Sequence, residues 1–164
     1  MRKAAVVMGS DSDWRVMEKA VKTLKDFGVA VETRVISAHR TPKEAASFAE
    51  DAVQNGFGVL IAAAGKAAHL AGALAASSPL PVIGVPIDGG MEGLDALLST
   101  VQMPPNVPVA TVGVDGAVNA AILAIEILAL SDDVLFEKLV DYRKTMQDAV
   151  RQKDAAIQKL AEEL

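Results

Sequence analysis

Five short apolar runs, at residues 4–8, 29–36, 59–64, 82–85 and 107–112, most constrain what this 164-residue chain can fold into. A polar or glycine-bearing turn follows each run, and a segment of helical spacing follows the turn. In 13–27, Val16, Ala20, Leu24 and Phe27 fall on one helical face, and Gly28 ends the segment. Residues 42–55 carry Pro42 in the first turn and Gly56 just past the end. Small-residue or aliphatic helices are expected at 67–76, 93–101 and 118–130. Near-continuous apolar strands alternating with helices make a parallel sheet covered on both faces. The fold class is therefore α/β, a flavodoxin-like three-layer α/β/α sandwich with a five-stranded parallel sheet. The strand order expected for it is 2-1-3-4-5.

The last stretch differs. Residues 132–164 are charged, lack Gly and Pro, and carry Leu135, Leu139, Tyr142, Met146, Val150, Ile157, Leu160 and Leu164 at roughly helical spacing. A single helix of that length runs ~50 Å, more than a domain of this size can cover. The chain thus divides into an α/β domain at 1–131 and a helical extension at 132–164. The extension's apolar stripe is expected to pack on another subunit, unless the helix doubles back or frays.

Composition narrows the function. An apolar fraction of 51% excludes a disordered chain, and no run is long and uncharged enough to span a bilayer. The run at 4–8 ends in Gly-Ser-Asp-Ser-Asp, which reads as a first strand, not a signal peptide. With no cysteine, disulfides and thiolate metal sites are excluded, and a cytoplasmic location is expected. A net charge of −5 with 4% aromatic residues argues against a nucleic-acid surface. A small anionic substrate stays possible, because a pocket can be positive on an acidic protein.

Ligands of such sheets bind beyond the carboxyl ends of the strands. Gly9-Ser10-Asp11-Ser12-Asp13, Ser37-Ala38-His39-Arg40, Gly65-Lys66-Ala67-Ala68-His69 and Gly84-Val85-Pro86 follow the first four strands there. Both histidines of the chain thus fall at one edge, with an arginine and a lysine. Ser10, Ser12 and Asp13 either cap a helix or cradle a ligand, the serines with helix N–H groups holding phosphate and Asp13 accepting from ribose hydroxyls. Arg40 is either a solvated surface residue or a bidentate phosphate ligand. His39 suits general acid/base work, since imidazole titrates near neutral pH. His69, in a small-residue helix start, reads more simply as a structural histidine. The small residues about it, Gly65 included, would let a ring approach the backbone. A two-histidine metal site lacks an obvious third ligand. Lys66 is either a solvent-pointing lysine or an added cation at the site rim. A phosphate-accepting receiver needs Asp after the third strand, where this chain has Ala-Ala-Ala-Gly, and a nucleophile elbow is missing.

The segments "VVMGSDSDW", "SAHRTP", "AAGKAAHLAG", "PVIGVP", "GLDALLSTVQMP" and "VPVATVG", in this order over residues 4–130, closely resemble the N5-carboxyaminoimidazole ribonucleotide mutases of bacterial purine biosynthesis (class I), within the AIR carboxylase superfamily. The resemblance implies a carboxylate moved from N5 to C4 of an imidazole ribonucleotide, without metal, ATP or organic cofactor. It implies His39 as the catalytic acid/base, with substrate-binding positions at Ser10, Asp13 and Arg40. With the neighbouring strand-end residues, the candidate binding set is Ser10, Ser12, Asp13, Ser37, Arg40, Gly65, Lys66 and His69. The partners implied are the ribonucleotide and further copies of the chain, assembled as an octamer, with neither nucleic acid nor membrane. A carboxylase using CO2 directly, or a catalytically silent ribonucleotide-binding homologue, is the alternative. Lys66 stands where these mutases usually have glycine, Ala71 where they usually have proline, and residues 88–92 depart from their common form.

Overall fold

The computed structural model describes residues 2–164. Its centre is a five-stranded, all-parallel sheet in the order β2-β1-β3-β4-β5, as expected. The strands are β1 (Lys3–Met8), β2 (Val31–Val35), β3 (Phe57–Gly65), β4 (Val82–Ile87) and β5 (Ala110–Thr111). Helices α1 (Trp14–Asp26), α2 (Pro42–Glu50), α3 (Leu70–Ser77), α4 (Leu94–Val101), α5 (Ala117–Ala129) and α6 (Asp133–Glu162) surround it.

Because successive strand residues point to opposite faces, β1 and β3 split their side chains between two cores. Val6, Val59 and Ile61 join Met17 and Leu24 of α1, Ala124 and Ile125 of α5, and Leu135 of α6. Ala5, Val7 and Leu60 join Ala45 of α2 and Leu70 and Leu74 of α3 on the other face. These strands are buried on both faces, which explains why they read as unbroken apolar runs. On the second face α4 also lies close to β4: a Cβ on Gly84 would collide with the Thr100 methyl.

Three boundaries differ from the sequence reading. The second helix stops at Glu50, and residues 51–56 form turns that end at Gly56 with φ +81°, delivering Phe57 to β3. The third helix starts at Leu70, because Lys66 takes φ +56°, outside the helical region, and the chain reaches His69 as a loop. The fifth strand shrinks to two residues; Pro104, Pro105 and Pro108 lie in the run before it and cannot donate to a ladder. The extension does form one helix of 30 residues, capped where Asp132 Oδ1 accepts from Leu135 N at 3.0 Å. Its start is anchored: Leu135 and Leu139 are buried, Tyr142 meets Phe27 edge-on at 5.3 Å, and Lys138 Nζ donates to the Phe27 carbonyl at 2.8 Å. Beyond residue 142 it is exposed.

Candidate active site

The polar loops gather at the carboxyl edge of the sheet because all five strands run parallel. The first loop is a capping box: Ser10 Oγ accepts from Ser12 N (3.3 Å), and Asp13 Oδ2 accepts from Ser10 N (3.2 Å). The Ser10 and Ser12 hydroxyls bond each other at 2.9 Å. The capping reading of this loop holds, and the same Ser10 and Ser12 line the cavity. Asp13 is buried. Burial pushes its carboxyl above the usual range, opposed by bonds from Ser10 N–H and the Ser12 hydroxyl and by the charge of Arg15.

The loop after β2 is rigid. Thr41 Oγ1 accepts from Ser37 N at 3.1 Å and donates to Ser37 O at 3.0 Å. Arg40 Nε donates to Ser37 Oγ (3.2 Å) and Nη2 to Gly9 O (3.0 Å), so the guanidinium bridges the ends of β1 and β2. His39 Nε2 lies 2.8 Å from His69 Nδ1, with the rings nearly perpendicular at 81°. One proton serves this bond, donated from either nitrogen. His69 is exposed, and its ring engages the other histidine. Thirty residues separate them, so local sequence carries no sign of the pairing.

All nine expected residues, Ser10, Ser12, Asp13, Ser37, His39, Arg40, Gly65, Lys66 and His69, line a single cavity of about 620 Å³. A Cβ at Gly65 would sit 3.1 Å from the Ile87 carbonyl, so a glycine keeps the β3 and β4 ends close. The sequence reading missed Arg15 and Asp88, which also line the cavity. Arg15 Nη2 donates to Asp88 O at 3.1 Å, joining α1 to the loop after β4. An arginine one residue into an amphipathic helix looks like solvated surface until β4 is placed beside it. No group of three or more His, Cys, Asp or Glu suited to a metal ion occurs among the described residues.

Known proteins are similar to this chain in sequence and in fold. The sequence model for AIR carboxylase matches residues 3–149. A protein of Mycobacterium leprae named N5-carboxyaminoimidazole ribonucleotide mutase is 51% identical over 158 residues, covering 96% of this chain and 92% of its own. A protein of the same name from Methanocaldococcus jannaschii is 52% identical over 156 residues, covering 94% and 97%. Among solved structures, Treponema denticola PurE superposes with a TM-score of 0.84 at 27% identity, over 93% of this chain and 96% of that one. With matches that run nearly end to end and take in every loop of the cavity, the chain belongs to the AIR carboxylase family.

Proposed function

We propose that this chain is a mutase of purine biosynthesis, converting N5-carboxyaminoimidazole ribonucleotide to 4-carboxy-5-aminoimidazole ribonucleotide. The observation that carries this reading is the paired His39 and His69 in one cavity with Arg40 and the Ser10–Asp13 loop. Arg40, the Ser10 and Ser12 hydroxyls and nearby N–H groups take the phosphate, and Asp13 accepts from the ribose. The imidazole lies against the histidine pair.

His39 then works twice. As an acid it gives its proton to N5; the N5–carboxylate bond breaks and CO2 is released beside the ring. C4 attacks that CO2, forming the new carbon–carbon bond. Neutral His39 takes the C4 proton and is restored to its starting state. One imidazole able both to give and to take a proton serves both steps, and His69, bonded to it, orients the ring. Confinement favours recapture of CO2 over its escape.

In one isolated chain both histidines are exposed, a poor place to retain CO2. This favours a homo-oligomer, an octamer by family likeness, in which a neighbouring subunit covers the cavity mouth and the 132–164 extension packs on neighbours. Among the described residues no helix is long and apolar enough to cross a membrane; what supports a cytoplasmic location is the biosynthetic role read from the family.

The test is direct. Purified protein given the N5-carboxy substrate, with neither ATP nor added bicarbonate, should produce the 4-carboxy isomer. Product formed only from the uncarboxylated ribonucleotide plus CO2 would instead make it a direct carboxylase. Binding without any turnover would make it a silent homologue.

A further inference from the structure

The cavity gathers cations from three different loops and helices. The chain is acidic overall, at −5, yet Arg15, Arg40 and Lys66 all line this one cavity. None of the ion pairs among the described residues involves any of the three. Two carboxylates, Asp13 and Asp88, also line the cavity; three cations outnumber them, and a surplus of cations in a pocket of an acidic protein marks a place for an anionic ligand.

They stand at two separate poles. Arg40 is tied to the ends of β1 and β2 through Gly9 O and Ser37 Oγ. Arg15 is tied to Asp88, just past β4. In the order β2-β1-β3-β4, the ends of β1 and β4 lie two strand spacings apart, about 10 Å. Lys66 belongs to the second pole: its Cγ and Cε come within 3.6 and 4.0 Å of the place a Gly89 Cβ would occupy. The lysine stem runs in the space Gly89 leaves. Lys66 also holds φ +56°, a conformation that L side chains rarely adopt and that clusters at ligand sites. The bonded histidine pair comes from the loops after β2 and β3, the strands that flank β1 in the sheet.

We propose that Arg15 and Lys66 form a carboxylate seat beside Asp88 and Gly89, binding the substrate's carboxylate in its C4 position, while Arg40 holds the phosphate. This rests on the mutase reading. The ligand then has two anionic ends separated by a ribose and a five-membered ring, and one phosphate cannot occupy both poles. The seat makes Arg15 and Lys66 specificity-determining residues: they distinguish the carboxylated ribonucleotide from the uncarboxylated one.

Calorimetric titration of the full chain with 4-carboxy-5-aminoimidazole ribonucleotide and with 5-aminoimidazole ribonucleotide tests this. The variants are Arg15→Gln, Lys66→Gly, which suits the left-handed backbone, and the two combined. The double variant should lose affinity for the carboxylated ligand by tenfold or more, about the scale of a lost charge-assisted hydrogen bond. Its affinity for the uncarboxylated ligand should stay within about twofold of the parent, far inside that loss, which also reports an intact fold. Arg15→Lys and Lys66→Arg should retain most of the discrimination. Equal losses for both ligands, or no loss for either, would overturn the seat while leaving the mutase reading standing. A parent protein that binds neither ribonucleotide would overturn both.

Discussion

Arg40 spends two of its donors on the protein itself, Nε on Ser37 Oγ and Nη2 on Gly9 O, which fixes the fork before any ligand arrives. Arg40→Ala should therefore raise KM by about 10- to 100-fold with a smaller change in kcat, as loss of ground-state phosphate binding requires. A fall in kcat alone, with KM unmoved, would remove Arg40 from the phosphate seat. Asp13 makes a prediction of opposite sign for stability. Its carboxyl is raised by burial, so the folded chain binds a proton more readily than the unfolded one. Stability from this group is greatest below the ordinary carboxyl range and declines as pH rises through the raised value. Asp13→Asn keeps an acceptor for Ser10 N–H and removes the buried charge. The variant should melt higher than the parent near pH 7, with the gap closing toward acid, while binding ribonucleotide less well. A lower melting point at pH 7 would show that the charge is better solvated than its burial implies. The sequence revealed single residues only where position alone carried the message. Ser10, His39 and Arg40 stand directly after strands, so their edge was legible. The His39–His69 bond and the Arg15–Asp88 bond join segments 30 and 73 residues apart, and only the folded sheet brings them together.

At the scale of elements, the sheet was legible because β1, β3 and β4 are buried on both faces and admit little but apolar residues. Boundaries were less so. Ala52 continues the apolar face of α2 and is buried, yet the chain has already left the helix to turn at Gly56. Lys66 gives no local sign of its left-handed backbone, which delays α3 and hands Lys66, Ala67 and His69 to the cavity. Helix α4 packs closely on β4, where Gly84 faces the buried Thr100, whose hydroxyl bonds Ala96 O at 2.8 Å. Gly84→Ala should push α4 outward and destabilise the fold by about 1–3 kcal/mol, the usual cost of overpacking. Urea unfolding measures it, and an unchanged midpoint would mean that α4 yields freely.

The whole molecule is larger in apolar surface than one chain can bury. Val150, Ile157 and Leu160 are exposed along α6, and Leu94, Leu98 and Val101 form an exposed stripe on α4. The burial of Leu135 and Leu139 shows that α6 is held only at its start. Deleting residues 145–164 should leave the sheet folded, with an unchanged far-ultraviolet strand signature, and lower the mass found by light scattering, since a stable interface needs roughly 1,200–2,000 Å² of buried surface. An unaltered mass would make the distal helix dispensable to assembly. Assembly, cavity and chemistry meet at His39, which must be both acid and base if one site is to break the N5 bond and make the C4 bond. The deciding measurement is the rate of isomerisation of N5-carboxyaminoimidazole ribonucleotide at saturation by the parent protein and by His39→Asn, with ribonucleotide binding confirmed for both. Turnover by the parent and a loss of at least about 10²-fold in the variant, the scale of general acid–base catalysis, are the expected results. Equal rates in the two proteins would contradict this role of His39.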